Sequence, residues 1–258
     1  MQCILFAAAL ITVRDFFVVF RQTEKHLLRG FNNKLLKRVQ LLFLLYNKTV
    51  YDKIKKILKK LAEDFPNAKS ELKYNNPFEL IVAVILSAQC TDERVNKITP
   101  SLFKLADTPQ KMAAIDIEQL EEVIFSCGFY HSKAKYIKLM SQELIDRFGG
   151  KVPDNLPDLM SLKGVGRKTA NVVFAVAFGG QAIAVDTHVF RVSNRLGITH
   201  AKTVLETEKQ LMAAVDQNLW SKSHHYLLLH GRYVCKSAKP KCSQCSVKSF
   251  CEYYANRN

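Results

Sequence analysis

Four cysteines near the carboxyl end of this 258-residue chain are the side chains best suited to hold a metal. They follow the spacing C-x6-C-x2-C-x5-C, and that many thiolates within so short a stretch suit Zn²⁺ or a cubane iron–sulfur cluster. Structural zinc sites more often pair two short knuckles, whereas this stretch has one, so the spacing favours one [4Fe–4S] cluster per chain. Disulfide bridges are an alternative that no secretory signal supports. The four candidate ligands are Cys235, Cys242, Cys245 and Cys251.

The loop between the first two of these cysteines carries three lysines, Lys236, Lys239 and Lys241. A metal that holds both ends of this loop would make it a rigid lobe for binding phosphates. Electron transfer is the rival role for such a metal. The chain shows no partner redox motif for it, so phosphate binding is the favoured interpretation.

A second candidate site is a glycine turn followed by a lysine, within residues 156–179. Gly164 and Gly166 interrupt two helical patterns and allow a tight turn with positive φ. The second helix then starts with free backbone N–H groups, which form an anion site. Lys168 lies in the first turn of that helix, where the helix dipole disfavours an ammonium group and favours the free amine of a Schiff-base nucleophile. A plain helical corner with a solvated or phosphate-contacting lysine is the alternative.

The elements that must position these groups are helices. Val50 to Phe65 has apolar residues at helical spacing and stops at Pro66, and Phe78 to Ala88 is apolar on all sides, as in a buried central helix. Lys133 to Phe148 is amphipathic and stops at two glycines. A capping box, Thr203 with Glu206, predicts a helix that extends to about Val215. The sequence therefore predicts an all-α protein of about ten helices.

Net charge indicates the kind of partner. The chain has 38 basic and 23 acidic residues, a formal charge of +15, while its 48% hydrophobic content is ordinary for a globular protein. This balance argues against wholesale disorder and an integral membrane protein, and it favours a polyanion such as nucleic acid. Residues 1–48 carry apolar runs too short to span a bilayer. We interpret them as an extension outside the functional protein, with a targeting segment or an amphipathic helix as alternatives.

Taken together, the motifs resemble the endonuclease III family of DNA glycosylases. They are L-K-G-V-G-R-K-T-A at 162–170, A-V-D-T-H-V-F-R-V at 184–192 and the four-cysteine signature, with L-S-A-Q-C-T-D at 86–92 and G-F-Y-H-S-K-A at 128–134 also fitting. The resemblance extends in order over about 50–254.

The resemblance implies two helical domains with a DNA-binding cleft between them. A six-helix barrel domain, residues 70–180, would contain the helix–hairpin–helix at about 156–179. Residues 49–69 and 181–258 would form the iron–sulfur cluster domain. A damaged base would be flipped out of the duplex into the cleft.

By motif match, Lys168 would be the nucleophile and Asp186 the essential carboxylate, although Asp186 can also cap the helix that begins at Thr187. Gln89 would fill the space left by the flipped base, and Phe129 would wedge into the base stack or else be an ordinary core aromatic. Cys90 and Cys127 would only pack. The implied DNA contacts are completed by Lys163, Gly164, Gly166 and Arg167 and the three lysines of the cysteine loop.

The activity implied is base excision repair: a DNA N-glycosylase that removes oxidised pyrimidines and, as an apurinic or apyrimidinic site lyase, cuts the strand by β-elimination. The alternative is a non-catalytic or monofunctional mismatch-type relative, which the presence of both Lys168 and Asp186 opposes. We expect a monomer without stable membrane association, acting on damaged double-stranded DNA in the bacterial cytoplasm at the nucleoid, or in an organelle or nucleus in a eukaryote. Lys163 stands where the family usually has proline, so we expect altered affinity or salt dependence.

Overall fold

The structure is a computed structural model that describes the backbone of residues 33–257 and the side chains of residues 48–257. Lys53–Asn258 form one compact unit, which contains every candidate site residue. The interpretation of residues 1–32 as part of an extension lies outside the described residues.

The described part of the chain is helical and contains no strand, which confirms the predicted all-α class. It also holds no helix that is both long enough and apolar enough to cross a membrane. Three short 3₁₀ turns lie at Gln217–Leu219, Cys242–Gln244 and Lys248–Phe250. The α-helices are α1 (Asn33–Asp64), α2 (Pro77–Leu86), α3 (Asp92–Leu105), α4 (Pro109–Ala114), α5 (Ile117–Ile124), α6 (Tyr130–Phe148), α7 (Leu156–Ser161), α8 (Arg167–Phe178), α9 (Thr187–Leu196), α10 (Val204–Ala214), α11 (Trp220–Tyr233) and α12 (Glu252–Ala255).

Helix α2 is the central helix that the all-apolar run predicts. The Asn76 side chain caps it by accepting from the Glu79 N–H, and Pro77 occupies its first position, where no backbone donor is needed. Every residue from Phe78 to Leu86 is buried. Helices α3, α6 and α8 pack around it, so α2 fixes where the glycine turn before α8 lies.

The buried side chains fall into two groups along the chain. One continuous apolar core runs from Leu72 to Val173, within helices α2 to α8. The resemblance implies six helices there, and the structure has seven segments, of which α4 and α7 are only six residues long. Buried residues of α1 and of α9 to α11, such as Ile57 and Leu227, lie outside this core. The division into two domains stays a proposal, which this separation supports.

Two predicted helices begin at least three residues earlier in the structure, and the capping box of a third differs from the prediction. The helix predicted from Val50 begins at Asn33, and α6 begins at Tyr130, ahead of the predicted Lys133. The capping box of α10 is half as predicted: Thr203 accepts from the Glu206 N–H, but the Glu206 carboxylate accepts from the Lys202 N–H rather than from Thr203. These ends depend on contacts that apolar spacing does not encode.

Candidate functional site

The glycine turn is a helix–hairpin–helix in which α7 and α8 flank residues 162–166. Gly164 has φ +75°, and a Cβ there would lie 2.7 Å from the Tyr136 Cβ, so both the backbone conformation and the space require glycine. The positive φ that the two glycines allow is used at Gly164 and not at Gly166. Gly166 is the N-cap of α8 with φ −82°, and a Cβ there would meet nothing within 4 Å.

Lys163, which replaces the proline usual in the family, is exposed, and its backbone N–H donates to Glu143 Oε2 at 2.7 Å. A proline has no such donor. This turn lacks the rigidity that a proline would give it, and a hydrogen bond from its backbone to α6 holds it instead.

Lys168 and Asp186 both act electrostatically on the buried His224 of α11. Lys168 is exposed in the first turn of α8, and Asp186 directly precedes α9. Both charges lie close enough to the His224 imidazole to act on its protonation. An amine and a carboxylate, 18 residues apart in sequence, therefore both lie within electrostatic range of one buried imidazole.

Asp186 caps α9, as the alternative interpretation of this residue predicted. Its Oδ1 accepts from the backbone N–H groups of His188, at 2.9 Å, and Val189, at 2.8 Å. Both bonds use the same oxygen, Oδ1. Capping therefore holds the side chain in place while Oδ2 stays available for other groups.

His224 is a residue that sequence analysis missed. It is 5% exposed, its Nδ1 has no hydrogen-bond partner, and its ring packs 4.9 Å from that of His225. Burial, reinforced by His225, lowers the pKa of His224 from 6.5 to about 3, although Asp186 opposes this shift. The imidazole beside Lys168 and Asp186 is therefore neutral at neutral pH. A His-His pair within a helix carries no motif that would have revealed this.

The neutral state of His224 predicts how stability responds to acid. Because the folded pKa is depressed, the unfolded chain binds the proton first, so the stabilisation is complete above pH 6.5 and is lost as pH falls toward about 3. As pH falls from about 6.5 to about 5, we expect protonation of His224 in the unfolded chain to lower the unfolding free energy by about 2 kcal/mol. Urea unfolding across this range measures it. His224→Asn should flatten the decline, and the exposed control His131→Asn should leave it unchanged; equal slopes in all three proteins would contradict the assignment.

Arg167, predicted to contact DNA, is engaged within the protein. Its Nε and Nη2 donate to the carboxylate of Glu208, at 2.9 Å and 2.7 Å from Oε1, and Glu208 is only 4% exposed. This ion pair raises the pKa of Arg167. It joins the start of α8 to α10, so Arg167 holds the hairpin against α10 whether or not it also reaches a phosphate.

Two exposed loops carry the residues expected to probe the base stack. The Gln89 loop (residues 87–91) joins α2 to α3, and the Phe129 loop (residues 125–129) joins α5 to α6. Gln89 and Phe129 both have left-handed backbones, with φ of 52° and 58°. Phe129 is 67% exposed, which excludes the core-aromatic alternative. Left-handed non-glycine residues cost energy and cluster at functional sites.

The four candidate metal ligands line one cavity between α9, α11 and the carboxyl-terminal turns. All four are free thiols, and burial raises the pKa of the Cys245 thiol to about 11, with the other three cysteines adding to the shift. No three His, Cys, Asp or Glu side chains of the described residues converge on a position for one metal ion. The cavity brings together the four thiols that the spacing selects, Cys235, Cys242, Cys245 and Cys251.

Helix α9 holds the lysine-bearing loop that leaves this cavity. Arg195 donates to the carbonyls of Lys236, at 2.8 Å, and Ser237, at 3.0 Å, and Arg191 Nε donates to that of Cys235, at 3.1 Å. The three predicted phosphate-binding lysines are exposed on this loop. The helix that Asp186 caps is therefore also the helix that positions the loop.

Comparison with known proteins agrees with this geometry. The family profile described as HhH-GPD superfamily base excision DNA repair protein matches residues 82–217. Endonuclease III of Bacillus subtilis (strain 168) is 51% identical over 195 residues, 75% of this chain and 89% of the relative. Endonuclease III of Escherichia coli (strain K12) is 44% identical over 197 residues, 76% of this chain and 93% of the relative.

A solved structure of a trapped endonuclease III–DNA covalent intermediate superposes with a TM-score of 0.77 at 48% identity, and covers 80% of this chain and 98% of that one. A thermostable thymine-DNA glycosylase has a TM-score of 0.71 at 22% identity, which shows the shared fold. The chain is accordingly a member of the endonuclease III family, the DNA glycosylase and AP lyase branch of the HhH-GPD superfamily of base excision DNA repair proteins.

Proposed function

We propose that this enzyme excises oxidised pyrimidines through a Schiff base on Lys168 and then cleaves the strand at the abasic site. The observation that carries the proposal is that Lys168 and Asp186 both act electrostatically on the buried His224, with Lys168 at the start of a helix whose free N–H groups suit a phosphate. The trapped endonuclease III–DNA covalent complex supports covalent chemistry for this family.

The chemistry follows from an amine nucleophile beside a fixed carboxylate. The Lys168 amine attacks C1′ of the sugar, and the C1′–N bond to the base breaks. Asp186 stabilises the positive charge that develops on the sugar or accepts the proton from the attacking amine. Ring opening gives a protonated imine, which acidifies the C2′ hydrogen. Loss of that proton expels the 3′ phosphate, and hydrolysis of the imine returns the free lysine.

A [4Fe–4S] cluster held by Cys235, Cys242, Cys245 and Cys251 is part of the proposal. The cavity that these thiols line fits such a group, because it brings together four sulfur ligands and a metal would bind the thiolates of Cys245 and Cys251, which burial otherwise keeps protonated. When bound, the cluster would cross-link the carboxyl-terminal turns without taking part in bond breaking. Arg191 and Arg195 would then hold the lysine-bearing loop for phosphates.

The DNA surface would comprise the hairpin, the two probing loops and the lysine-bearing loop. Lys163, Lys236, Lys239 and Lys241 are exposed and would neutralise phosphates, which makes affinity dependent on salt. We propose that a monomer acts on damaged duplex DNA in the compartment that holds the genome.

Borohydride trapping tests the catalytic proposal. Wild-type protein incubated with duplex DNA that contains thymine glycol or an abasic site should form a covalent protein–DNA adduct when the imine is reduced. A monofunctional glycosylase, which uses water, would release the base of thymine glycol and leave no adduct. Failure to trap wild-type enzyme would therefore overturn the proposal.

Phe129 offers a prediction about base extrusion. Replacing Phe129 with alanine removes an exposed apolar wedge, so we expect excision of thymine glycol to slow about tenfold or more, because unstacking costs a few kcal/mol. Cleavage at a preformed abasic site, which has no base to extrude, should change far less. Single-turnover kinetics on both substrates measure the contrast. Phe125→Ala is the matched control, since Phe125 is 66% exposed on the same loop; equal losses in the two variants would contradict a specific role.

A further inference from the structure

Two cysteines outside the metal cavity lie side by side where the two probing loops meet. Cys90 follows Gln89 directly, and Cys127 precedes Phe129 by two residues. Their Sγ atoms are 3.6 Å apart although the residues are 37 positions apart in sequence. From the sequence, both cysteines were expected only to pack. Their spacing along the chain could not reveal that their Sγ atoms are in contact.

The backbones of the two loops are also in contact. A Cβ placed on Gly128 would lie 3.5 Å from the carbonyl oxygen of Gln89. The loops hold their exposed tips, Gln89 and Phe129, in left-handed conformations. A covalent bond between the sulfurs would need a shift of only about 1.5 Å, from the observed contact to a disulfide length of about 2.05 Å.

We propose that Cys90 and Cys127 form a reversible disulfide that joins the Gln89 loop to the Phe129 loop and thereby slows extrusion of a damaged base. The cross-link itself rests on the geometry of the thiols. Its effect on catalysis rests on the function proposed above, in which both loops enter the base stack, and follows if the cross-link restricts the movement of one loop relative to the other.

The surroundings give the two sulfurs different roles. Cys127 is fully buried, and burial together with Cys90 raises its pKa to about 12, so it stays protonated. Cys90 is half-buried and is the sulfur that an oxidant reaches. The ammonium of Lys133, only 5% exposed, donates to the Leu86 carbonyl at 2.8 Å and acts electrostatically on both thiols. It can stabilise negative charge on sulfur during the reaction.

The reaction requires a two-electron oxidant, and hydrogen peroxide is sufficient. The Cys90 thiol takes one oxygen from the peroxide, becomes a sulfenic acid and releases one water. The Cys127 sulfur then attacks the oxidised sulfur as its thiol proton passes to the departing hydroxide, so the S–O bond breaks and a second water leaves as the S–S bond forms. Two thiols are oxidised and one peroxide is reduced. A dithiol reductant reverses the change and restores both thiols.

Mass spectrometry tests the cross-link without reference to activity. The full chain is treated with peroxide, alkylated and digested without reductant. We expect a linked pair of peptides that contain Cys90 and Cys127, and dithiothreitol should remove it. Cys90→Ser should yield no such pair and should keep the metal-site cysteines as in wild type. If wild-type protein yields no linked peptide, the proposal is overturned.

Kinetics then test the consequence. In the oxidised enzyme we expect excision of thymine glycol to slow about tenfold or more, with recovery in dithiothreitol, because obstructed loop motion limits the step. Cleavage of a preformed abasic site should stay within about twofold, since no base must be extruded. Peroxide-treated Cys90→Ser controls for damage at the metal site and should keep the two rates that untreated Cys90→Ser shows. Unchanged excision by the cross-linked enzyme would overturn the regulatory effect, whereas a reduced enzyme that excises no base would contradict the proposed function instead.

Discussion

Replacing Lys168 with alanine is expected to abolish covalent capture of DNA and to slow strand cleavage at an abasic site by at least about 10³-fold. The variant loses the only lysine amine in the first turn of α8, whose charge acts on His224 as that of Asp186 does. It should still bind DNA, because the hairpin backbone and the exposed lysines of the cysteine loop are unchanged. Borohydride trapping, single-turnover cleavage and a binding isotherm on the same duplex measure the three properties.

Lys163→Ala is the matched control for this experiment. Lys163 is an exposed lysine of the same hairpin, and its side chain lies before the turn rather than in α8. We expect this variant to be trapped normally while its affinity weakens and the slope of affinity against salt falls by about one. A trapped adduct from Lys168→Ala, or loss of trapping in both variants, would show that the nucleophile is a different amine.

The second large effect is expected at the metal cavity. Cys245→Ser should reduce the iron content from about four atoms per chain, and with it the brown visible absorbance. Loss of this cross-link should cost roughly 3–5 kcal/mol, comparable to loss of a native structural disulfide, and lower Tm by about 10 °C. The loop with three lysines would lose its anchorage, so DNA affinity should fall about tenfold or more and depend less on salt.

Cys127→Ser is the control for the metal prediction, because its thiol is buried outside the cavity. This variant should keep its iron, its colour and its affinity for DNA. Metal analysis separates the two candidates that the cysteine spacing left open. One zinc per chain and no iron in the wild-type protein would contradict the iron–sulfur proposal.

Several features of the site could not be predicted because they join remote segments. The Arg167–Glu208 ion pair links α8 to α10, and the contact of Cys90 with Cys127 links two loops. A phenylalanine at position 129 is compatible with both a wedge in the base stack and a place in the core. Only the surrounding side chains determine that Phe129 is exposed. Each depends on distances set by packing of the whole unit.

The sequence by itself determined the chemistry: the glycine turn with Lys168, the carboxylate Asp186, the four-cysteine spacing and the helical class. These features are local, because turns, caps and ligand spacings are set by residues a few positions apart. Only the tertiary structure decided that a buried, neutral His224 lies within electrostatic range of the amine and the carboxylate, and that α9, which Asp186 caps, holds the lysine-bearing loop. The physical reason is that burial and contact between distant helices, rather than residue type, determine the charge and orientation of these groups.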